Sequence, residues 1–391
     1  MVVADRRHGE VNWRIATGDE ALLTQAYQAC ALLGRLAFDI PQYGGGTGLT
    51  EGFCSYDTGH DNSPRWAGIP PQCPNQDAKR FPDGFNLPRL CPDLSATTYG
   101  ARMALASNGQ GAGQGTTGRG WKAPRRCAGR YSTRFTFAED AAFYDLDADG
   151  KSCACAPISS VASVASMSST RACSTICDAA DPISGRLLGA LSDCRRWRSD
   201  DPAFVRPITG NSWGGPAQAQ TALRASRWME HYGRPAEFSH MMEAWCKALM
   251  ADMTFRQQVD PVTGAFTQSD APGYSPAALV MMDYTWRLAG VVEGDDELWW
   301  NVRPATRRRG SFRLPLDGGG TAAMAYDRKG VNLSLNGKAV ARIEGTARLV
   351  TDKAGKPLAL VGIGEKPQKV AEKWPGHTRH VTVAANQRIT L

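Results

Sequence analysis

The chain has 391 residues, which exceeds one ordinary domain and allows a large buried core, so we expect one large domain with a smaller module. Its formal net charge of +7 lies in short basic clusters, such as 122–126 and 307–309, without interleaved aromatic residues, which argues against nucleic-acid binding. No apolar run approaches the roughly 18 residues of a membrane span, and the first residues lack the apolar core of a signal peptide. These features predict a cytoplasmic protein without a membrane partner.

Helices with one apolar face are predicted at several places along the chain. They cover 19–38, 216–232, 236–251 and 276–288. The clearest is the third, because its apolar residues recur at the spacing of one helical face. The short connection between the second and third helices predicts a helical hairpin, and no exact repeat indicates a solenoid.

Residues 57–66, DTGHDNSPRW, are the stretch richest in functional side chains. Two carboxylates, an imidazole, a guanidinium and an indole occur within these ten residues. Gly, Asn, Ser and Pro are poor residues for a helix interior, so the stretch is predicted to be a loop, where functional side chains are usually displayed. This combination of side chains is typical of a sugar-binding site.

Two tracts differ in composition from the rest of the chain. Residues 106–130 are rich in Gly and Arg, and residues 152–199 contain five of the eleven cysteines and eleven serines. Our hypothesis is that both tracts are out-of-frame translations of GC-rich DNA that replace helices. The alternative is a pair of flexible linkers.

No metal or cofactor is expected from the sequence. Cys153, Cys155, Cys173 and Cys177 match no standard zinc spacing and lie inside the second foreign tract. The segment DLDADG begins like a calcium loop at Asp145, but its twelfth position is alanine rather than glutamate, so a polar turn is favoured. Nucleotide-binding glycine motifs are absent from the sequence.

The pattern of the chain changes after Arg303-Pro304. Apolar and polar residues then alternate, and Asn336-Gly337 is placed as a type I′ hairpin turn. The pattern predicts an antiparallel, β-sandwich-like module over 304–391.

Four segments carry a resemblance to a known group of families. They are, in the usual order of those families, 51–66, 91–106, 211–233 and 263–279. They resemble α-glycosidases built on an (α/α)6 toroid, namely the GH63-type glucosidases, the mannosylglycerate hydrolase-like enzymes and the trehalases, and the resemblance covers about half the chain. It implies a mainly α fold: an incomplete (α/α)6 toroid over 1–303, truncated before its acid loop, with a C-terminal antiparallel β module.

The same resemblance implies an activity. The chain is expected to hydrolyse α-glucosides or α-mannosides with inversion, to bind an oligosaccharide or small glycoside, and to use Asp61 as general acid. A desolvated position against Trp66 would keep that carboxyl protonated. The residues expected to bind the sugar are Asp57, His60, Arg65, Trp66, Asn211, Trp213, Gly214 and Tyr274.

The catalytic base departs from the family pattern. The glutamate of the relatives falls at Gln257, and glutamine cannot act as a general base. Asp260 or Asp270 substitutes for it, or the base lies elsewhere, or hydrolysis has been lost.

Two other function classes stay open. The first is a non-catalytic carbohydrate-binding remnant or pseudogene product, which Gln257, the short N-terminal part and the foreign tracts favour. The second is a sugar isomerase or epimerase on a similar toroid, which would use histidines as acid and base. His60 could serve in that role, whereas His231 and His240 lie in predicted helices and are expected to be structural or surface residues.

Overall fold

The computed structural model describes residues 49–60, 62–98, 136–137, 142–153, 204–205, 211–267, 272–304, 309–374 and 377–391, together with positions 25 and 28. Gln25 and Gln28 are helical, and the rest of the predicted helix 19–38 lies outside the described residues. The tract 106–130, and all but the first two residues of the tract 152–199, also lie outside them.

The expectation of a mainly α chain is wrong. Within the described residues, strands contain more residues than helices do, and they form several antiparallel sheets. Some of the strand residues lie before residue 300, where short strands pair across long sequence separations. Most of the strand residues lie in the C-terminal region, in which nearly every segment is a strand.

The described residues divide into two compact units. The first contains those up to Tyr232 together with 254–274, and the second contains 233–253 and those from Ser275 onward. The second unit therefore includes two helices in addition to the C-terminal strands. The predicted boundary between one domain over 1–303 and a second domain over 304–391 stays a prediction.

In the first unit, short paired strands hold the loops in place. β1 (Glu51–Gly52) pairs with β2 (Arg89–Leu90), β3 (Thr136–Phe137) pairs with β4 (Ala142–Phe143), and β5 (Ala217–Gln218) pairs with β6 (Gln258–Val259), all antiparallel. From residue 49 onward, the described α-helices of this unit are α1 (Ser55–Thr58), α2 (92–98) and α3 (Ala219–His231). Helix α3 begins three residues later than predicted, because residues 217 and 218 pair with β6 instead.

Helix α1 is fixed by its ends. The Asp57 carboxylate accepts hydrogen bonds from the backbone N–H groups of Phe53, at 2.7 Å, and Cys54, at 3.2 Å, which satisfies donors that a helix start leaves without partners. Gly59 ends the helix with a φ of 69°, a left-handed conformation in which glycine has no steric penalty. The first two residues of the 57–66 stretch therefore belong to α1, and Gly59 sets the direction in which the chain leaves the helix.

The second unit is a β-sandwich with two helices. The helices are α4 (Pro235–Asp252) and α5 (Ser275–Leu288), and both predictions for these segments are confirmed within one residue at each end. The strands are β7 (Val291–Glu293), β8 (Glu297–Val302), β9 (Gly310–Pro315), β10 (Thr321–Tyr326), β11 (Val331–Leu335), β12 (Lys338–Glu344), β13 (Ala347–Asp352), β14 (Pro357–Val361), β15 (Gln368–Trp374), β16 (His377–Val383) and β17 (Arg388–Thr390).

These strands form two antiparallel sheets, in the orders β16-β15-β12-β11-β10-β9 and β17-β14-β13-β8-β7. Residues from both sheets bury one shared core, among them Leu298, Trp300, Leu349, Met324, Leu333 and Ile343. Asn336 and Gly337 connect β11 and β12 with φ values of 52° and 78°, so the predicted type I′ turn is confirmed. Among the described residues, no helix is long and apolar enough to cross a membrane.

Candidate functional site

The buried guanidinium of Arg65 is the centre of a polar cluster in the first unit. Its Nε and Nη2 donate to Asp145 Oδ2 and Oδ1 at 2.8 and 2.6 Å. Its Nη1 and Nη2 donate to Asp93 Oδ2 and Oδ1 at 2.8 and 3.3 Å. Its Nη1 also lies 3.0 Å from His60 Nδ1. All five N–H groups of the guanidinium therefore have an acceptor.

His60 Nδ1 lies beside both Arg65 and Asp93. Four N–H groups of Arg65 are directed to carboxylates, and the fifth, on Nη1, is directed to His60 Nδ1 at 3.0 Å. In that contact Nδ1 accepts the hydrogen bond. The contact of Nδ1 with Asp93 Oδ2 is longer, at 3.3 Å, and would require Nδ1 to donate.

Burial and ion pairing oppose one another in this cluster. Burial raises the pKa of Asp145 to about 6, although the neighbouring Arg65 charge acts in the opposite direction. Burial acts to lower the pKa of Arg65, but Asp145 and Asp93 raise it above its usual value. With a pKa of about 6, Asp145 is mostly ionised at neutral pH and pairs with Arg65, and it gains a proton as the pH falls below about 6.

Cys91, Asp93 and Asp145 are close enough together to be considered as metal ligands, and all three are buried. Both carboxylates already bind the Arg65 guanidinium, which is itself the cation at this place. Burial also raises the pKa of the Cys91 thiol well above its ordinary value, which disfavours the thiolate that a metal needs. We therefore treat this cluster as an ion-pair network rather than a metal centre.

Aromatic rings support the cluster. The His60 ring stacks on Trp213, with centroids 4.9 Å apart and an interplanar angle of 26°. Trp66 donates from its indole N–H to Thr58 Oγ1 at 3.0 Å, and the guanidinium of Arg65 lies 5.2 Å from its ring centroid. Both indoles are buried, at 6 % and 4 % exposure, and pack beside the cluster. Sugar binding by either of them stays a prediction.

A second polar network joins the loop around Asn62 to the segment that begins at Asn211. Asn62 Nδ2 donates to the backbone oxygen of Asn211 at 2.8 Å, and Ser212 Oγ donates to the backbone oxygen of Asn62 at 3.3 Å. Gln257 Nε2 then donates to Asn211 Oδ1 at 3.1 Å and to Gln218 Oε1 at 3.3 Å. The network places amide groups from three separate segments next to one another.

Buried amides on β5 and β6 anchor this arrangement. Gln218 Nε2 donates to the backbone oxygen of Ser212 at 2.7 Å and to Gln258 Oε1 at 3.0 Å. Gln258 Oε1 also accepts from the backbone N–H of Ser212 at 3.1 Å, and its Nε2 donates to Thr267 Oγ1 at 2.6 Å. Gln218 and Gln258 are fully buried, and their hydrogen bonds hold the 211–215 segment against the paired strands.

No protein-family model matches the chain, and no curated protein matches it in sequence. Solved structures do match it. An uncharacterized conserved protein from Thermus thermophilus aligns with a TM-score of 0.53 and 14 % identity, over 71 % of this chain and 75 % of that one. GH63 mannosylglycerate hydrolase from the same organism aligns with a TM-score of 0.53 and 15 % identity, over 70 % and 76 % of the two chains.

A sialidase structure aligns with a TM-score of 0.59 and 14 % identity, over 87 % of this chain but 32 % of that one. The fold is similar to that of GH63 glycoside hydrolase structures. At these identities the likeness concerns the fold alone. Two of the matching GH63 structures are complexes that contain glucose or D-glycerate.

The structure brings several predicted site residues together. His60, Arg65 and Trp213 belong to the aromatic and ion-pair cluster, and Asn211 and Gln257 belong to the amide network. Asp61, the predicted acid, and Asp270, a predicted base, lie outside the described residues.

Other predicted residues have local structural contacts. One carboxylate oxygen of Asp57 caps α1. Oδ1 of Asp260 accepts from the backbone N–H groups of residues 262 and 263 at 2.8 and 3.2 Å and so holds a turn. A Cβ atom on Gly214 would lie 2.5 Å from Pro64 Cδ, so this glycine permits close approach of two loops. Burial raises the pKa of Tyr274.

Asp93 and Asp145 are the main site residues that the sequence analysis missed. Asp93 lies within the family-like segment 91–106, so its charge in an apolar context was an available signal. Asp145 was interpreted as part of a polar turn. That turn does exist at Asp147, whose Oδ1 accepts from two backbone N–H groups, but Asp145 itself is buried and contacts Arg65.

Proposed function

We propose that the chain is a glycoside hydrolase that acts on α-glucosides or α-mannosides by inversion. The observation that carries the proposal is the convergence of two family-like segments, through Asn62 and Asn211, with Gln257, which stands at the family position of the base, at one amide-lined place beside the His60 and Trp213 stack. Amide groups both donate and accept, which suits sugar hydroxyls. The likeness to GH63 glycoside hydrolase structures supports the same class.

In this proposal Asp61 protonates the glycosidic oxygen. It lies in sequence between His60, which is fixed by Trp213 and Arg65, and Asn62, which is fixed by Asn211. Rigid neighbours on both sides are what a general acid needs, because a proton is transferred only at hydrogen-bond distance. The base that activates water is Asp260 or Asp270. The turn that Oδ1 of Asp260 holds fixes the orientation of that carboxylate.

The test is reducing-sugar release from a panel of α-linked glucosides and mannosides that includes mannosylglycerate. We expect Asp61→Asn to lower the rate about 10²–10⁴-fold, as loss of a general acid does. Asp83→Asn is the matched control, because Asp83 is exposed, and it should leave the rate unchanged. Equal rates for the wild type and Asp61→Asn would overturn the acid assignment.

A non-catalytic carbohydrate-binding protein is the second candidate. It is favoured by Gln257, which stands at the family position of the base and whose amide is held by Asn211 and Gln218. An amide in this place can bind a hydroxyl but cannot take a proton from water. Calorimetric binding of the same glycosides without sugar release would support this candidate over hydrolysis.

A further inference from the structure

A third cluster in the first unit supplies neither the acid nor the base of the proposed hydrolysis, although the sequence analysis includes Asp57 among the residues expected to bind the sugar. Cys54 Sγ and Cys73 Sγ lie 3.9 Å apart, and both cysteines are free thiols. A carboxylate oxygen of Asp57 joins them, so that the three possible ligand atoms all lie within 4.8 Å of one another. Cys54 is buried, whereas Asp57 is exposed, so the cluster is open to solvent on one side.

Contacts other than the thiols hold this cluster together. The backbone N–H of Tyr56 donates to the oxygen of Pro71 at 3.1 Å, which joins α1 to the segment before Cys73. Asp57 Oδ2 accepts two backbone N–H groups at the start of α1, at 2.7 and 3.2 Å, which fixes the carboxylate beside Cys54. The three ligand groups are therefore brought together by the backbone, without a requirement for a direct bond between the sulfurs.

The spacing of the sulfurs agrees with a shared metal ion. Two thiolates at about 2.3 Å from a tetrahedral Zn²⁺ stand about 3.8 Å apart, close to the 3.9 Å observed. Two thiolates with a carboxylate are ligands that Zn²⁺ accepts, and water can fill the fourth position on the exposed side. We propose that Cys54, Asp57 and Cys73 form a binding site for one divalent metal ion of the zinc class.

Proton release opposes metal binding at this place. Burial raises the pKa of the Cys73 thiol to about 12, and the nearby Cys54 and Asp57 add to the shift, so the metal must displace a proton from this thiol. Because a thiol must lose its proton to bind the metal, the affinity is expected to rise with pH, by up to about 100-fold per pH unit if two protons are released.

The metal would join the two ends of the segment 55–72. That segment carries His60, Arg65 and Trp66, so a metal at its base would stabilise the loop that builds the polar cluster. The site is independent of the proposed hydrolysis, because metal binding can be measured whether or not the chain cleaves a glycoside.

The first experiment titrates the reduced full chain with Co²⁺ as the probe. We expect one equivalent to give the visible bands of tetrahedral Co²⁺ and the near-ultraviolet thiolate charge-transfer band, and Zn²⁺ to displace it. Cys73→Ser should remove this equivalent or weaken it at least 100-fold, and Asp57→Asn should weaken it and alter the visible bands. Cys246→Ser is the matched control, since Cys246 is a buried thiol on α4 in the second unit, and it should behave as the wild type.

Unchanged Co²⁺ binding by folded Cys73→Ser would overturn the proposal. Because a variant could fail to fold, a second experiment uses the wild type alone. Mass spectrometry of alkylated peptides should show that Zn²⁺ slows alkylation of Cys54 and Cys73 at least 10-fold, while Cys246 is unaffected. Equal alkylation with and without Zn²⁺ would overturn the site, as would a disulfide between Cys54 and Cys73 in a protein that binds no metal after reduction.

Discussion

The two oxygens of Asp145 lie 2.6 and 2.8 Å from the Nη2 and Nε atoms of Arg65, although the residues are 80 positions apart in sequence. The bidentate geometry is the strong form of this ion pair, and both side chains are buried. Leu146 forms two backbone hydrogen bonds with Leu90, at 2.8 and 3.1 Å, and so brings Asp145 to this place. The ion pair connects the 62–66 loop to the segment around Asp145. No pattern in the sequence predicted that these two segments lie side by side.

Removal of Arg65 is expected to destabilise the protein strongly. Arg65→Ala leaves Asp93 and Asp145 buried without their cation, which costs about 3–5 kcal/mol in the free energy of unfolding. Arg65→Lys should recover little of this, because an ammonium cannot supply the five directed donors. Urea unfolding measures the effect, and Arg80→Ala, which removes an exposed partner of Asp77, should cause no measurable change.

The pH dependence of stability tests the balance between burial and ion pairing at Asp145. Its folded-state pKa of about 6 exceeds the ordinary value of 3.8, so the folded state holds the proton more tightly than the unfolded state. The stability that this group contributes is then fully present below about pH 4. It is lost as the pH rises towards 6.

Asp145→Asn mimics the protonated form and lacks this titration. The unfolding free energy of the wild type minus that of the variant should therefore fall between about pH 4 and 6 and then level off. Asp83→Asn, at an exposed position, should show no such trend. A difference that grows with pH would mean that the attraction of Arg65 outweighs the cost of burial.

The contact of Gly214 with Pro64 predicts a steric effect. Gly214→Ala would place a Cβ atom 2.5 Å from Pro64 Cδ and 2.8 Å from Val205 Cγ2, which forces two loops apart. Overpacking of this kind costs about 1–3 kcal/mol in the free energy of unfolding. Gly318→Ala is the control, because a Cβ there meets nothing within 4 Å. Equal melting temperatures for the two variants would argue against close packing of these loops.

Long periodic segments were predictable from the sequence, and pairing between distant segments was not. The apolar spacing predicted α4 and α5 within one residue at each end, and the Asn336-Gly337 turn was recognised from its two residues alone. Strands β5 and β6 contain two residues each, too few for a period, and they exist because they pair with one another. The expectation of a mainly α fold failed because it did not include these short strands. It also gave too little weight to the number of strand residues in the C-terminal sheets.

The residues of the candidate site also divide into those that the sequence predicted and those that it did not. The family-like segments supplied His60, Trp213 and Asn211, and the family position of the base supplied Gln257. The structure stacks His60 on Trp213 and joins Gln257 to Asn211. The resemblance assigned no role to Asp145, because the partner of a buried charge is set by three-dimensional packing. The sequence analysis also missed the Cys54 and Cys73 pair, because the spacing of these two residues in the sequence matches no standard zinc pattern.

Gln257→Glu tests whether the missing carboxylate limits catalysis. Gln257 Nε2 lies 3.1 Å from Asn211 Oδ1, and rotation of the Asn211 amide would present a donor to an introduced carboxylate. The hydrogen bond to Gln218 Oε1 would be lost, because the other end of the Gln218 amide is held by Ser212 and Gln258, so some loss of stability is expected. If Asp260 or Asp270 already acts as the base, as proposed above, the rate of glycoside hydrolysis should stay near that of the wild type. If neither aspartate acts as the base and Asp61 acts as the acid, the new carboxylate should raise the rate about 10²–10⁴-fold, the usual contribution of general-base catalysis.

Two controls identify the cause of such a gain in hydrolysis. Gln257→Ala removes the amide without supplying a base, so it should give no gain. Adding Asp61→Asn to Gln257→Glu should abolish the gain, because both carboxyls are needed for inversion. A Gln257→Glu variant that binds glycosides but hydrolyses them no faster than the wild type would place the base elsewhere. If the wild type also released no sugar, the same result would favour the carbohydrate-binding function, because restoring a carboxylate would then have restored no chemistry.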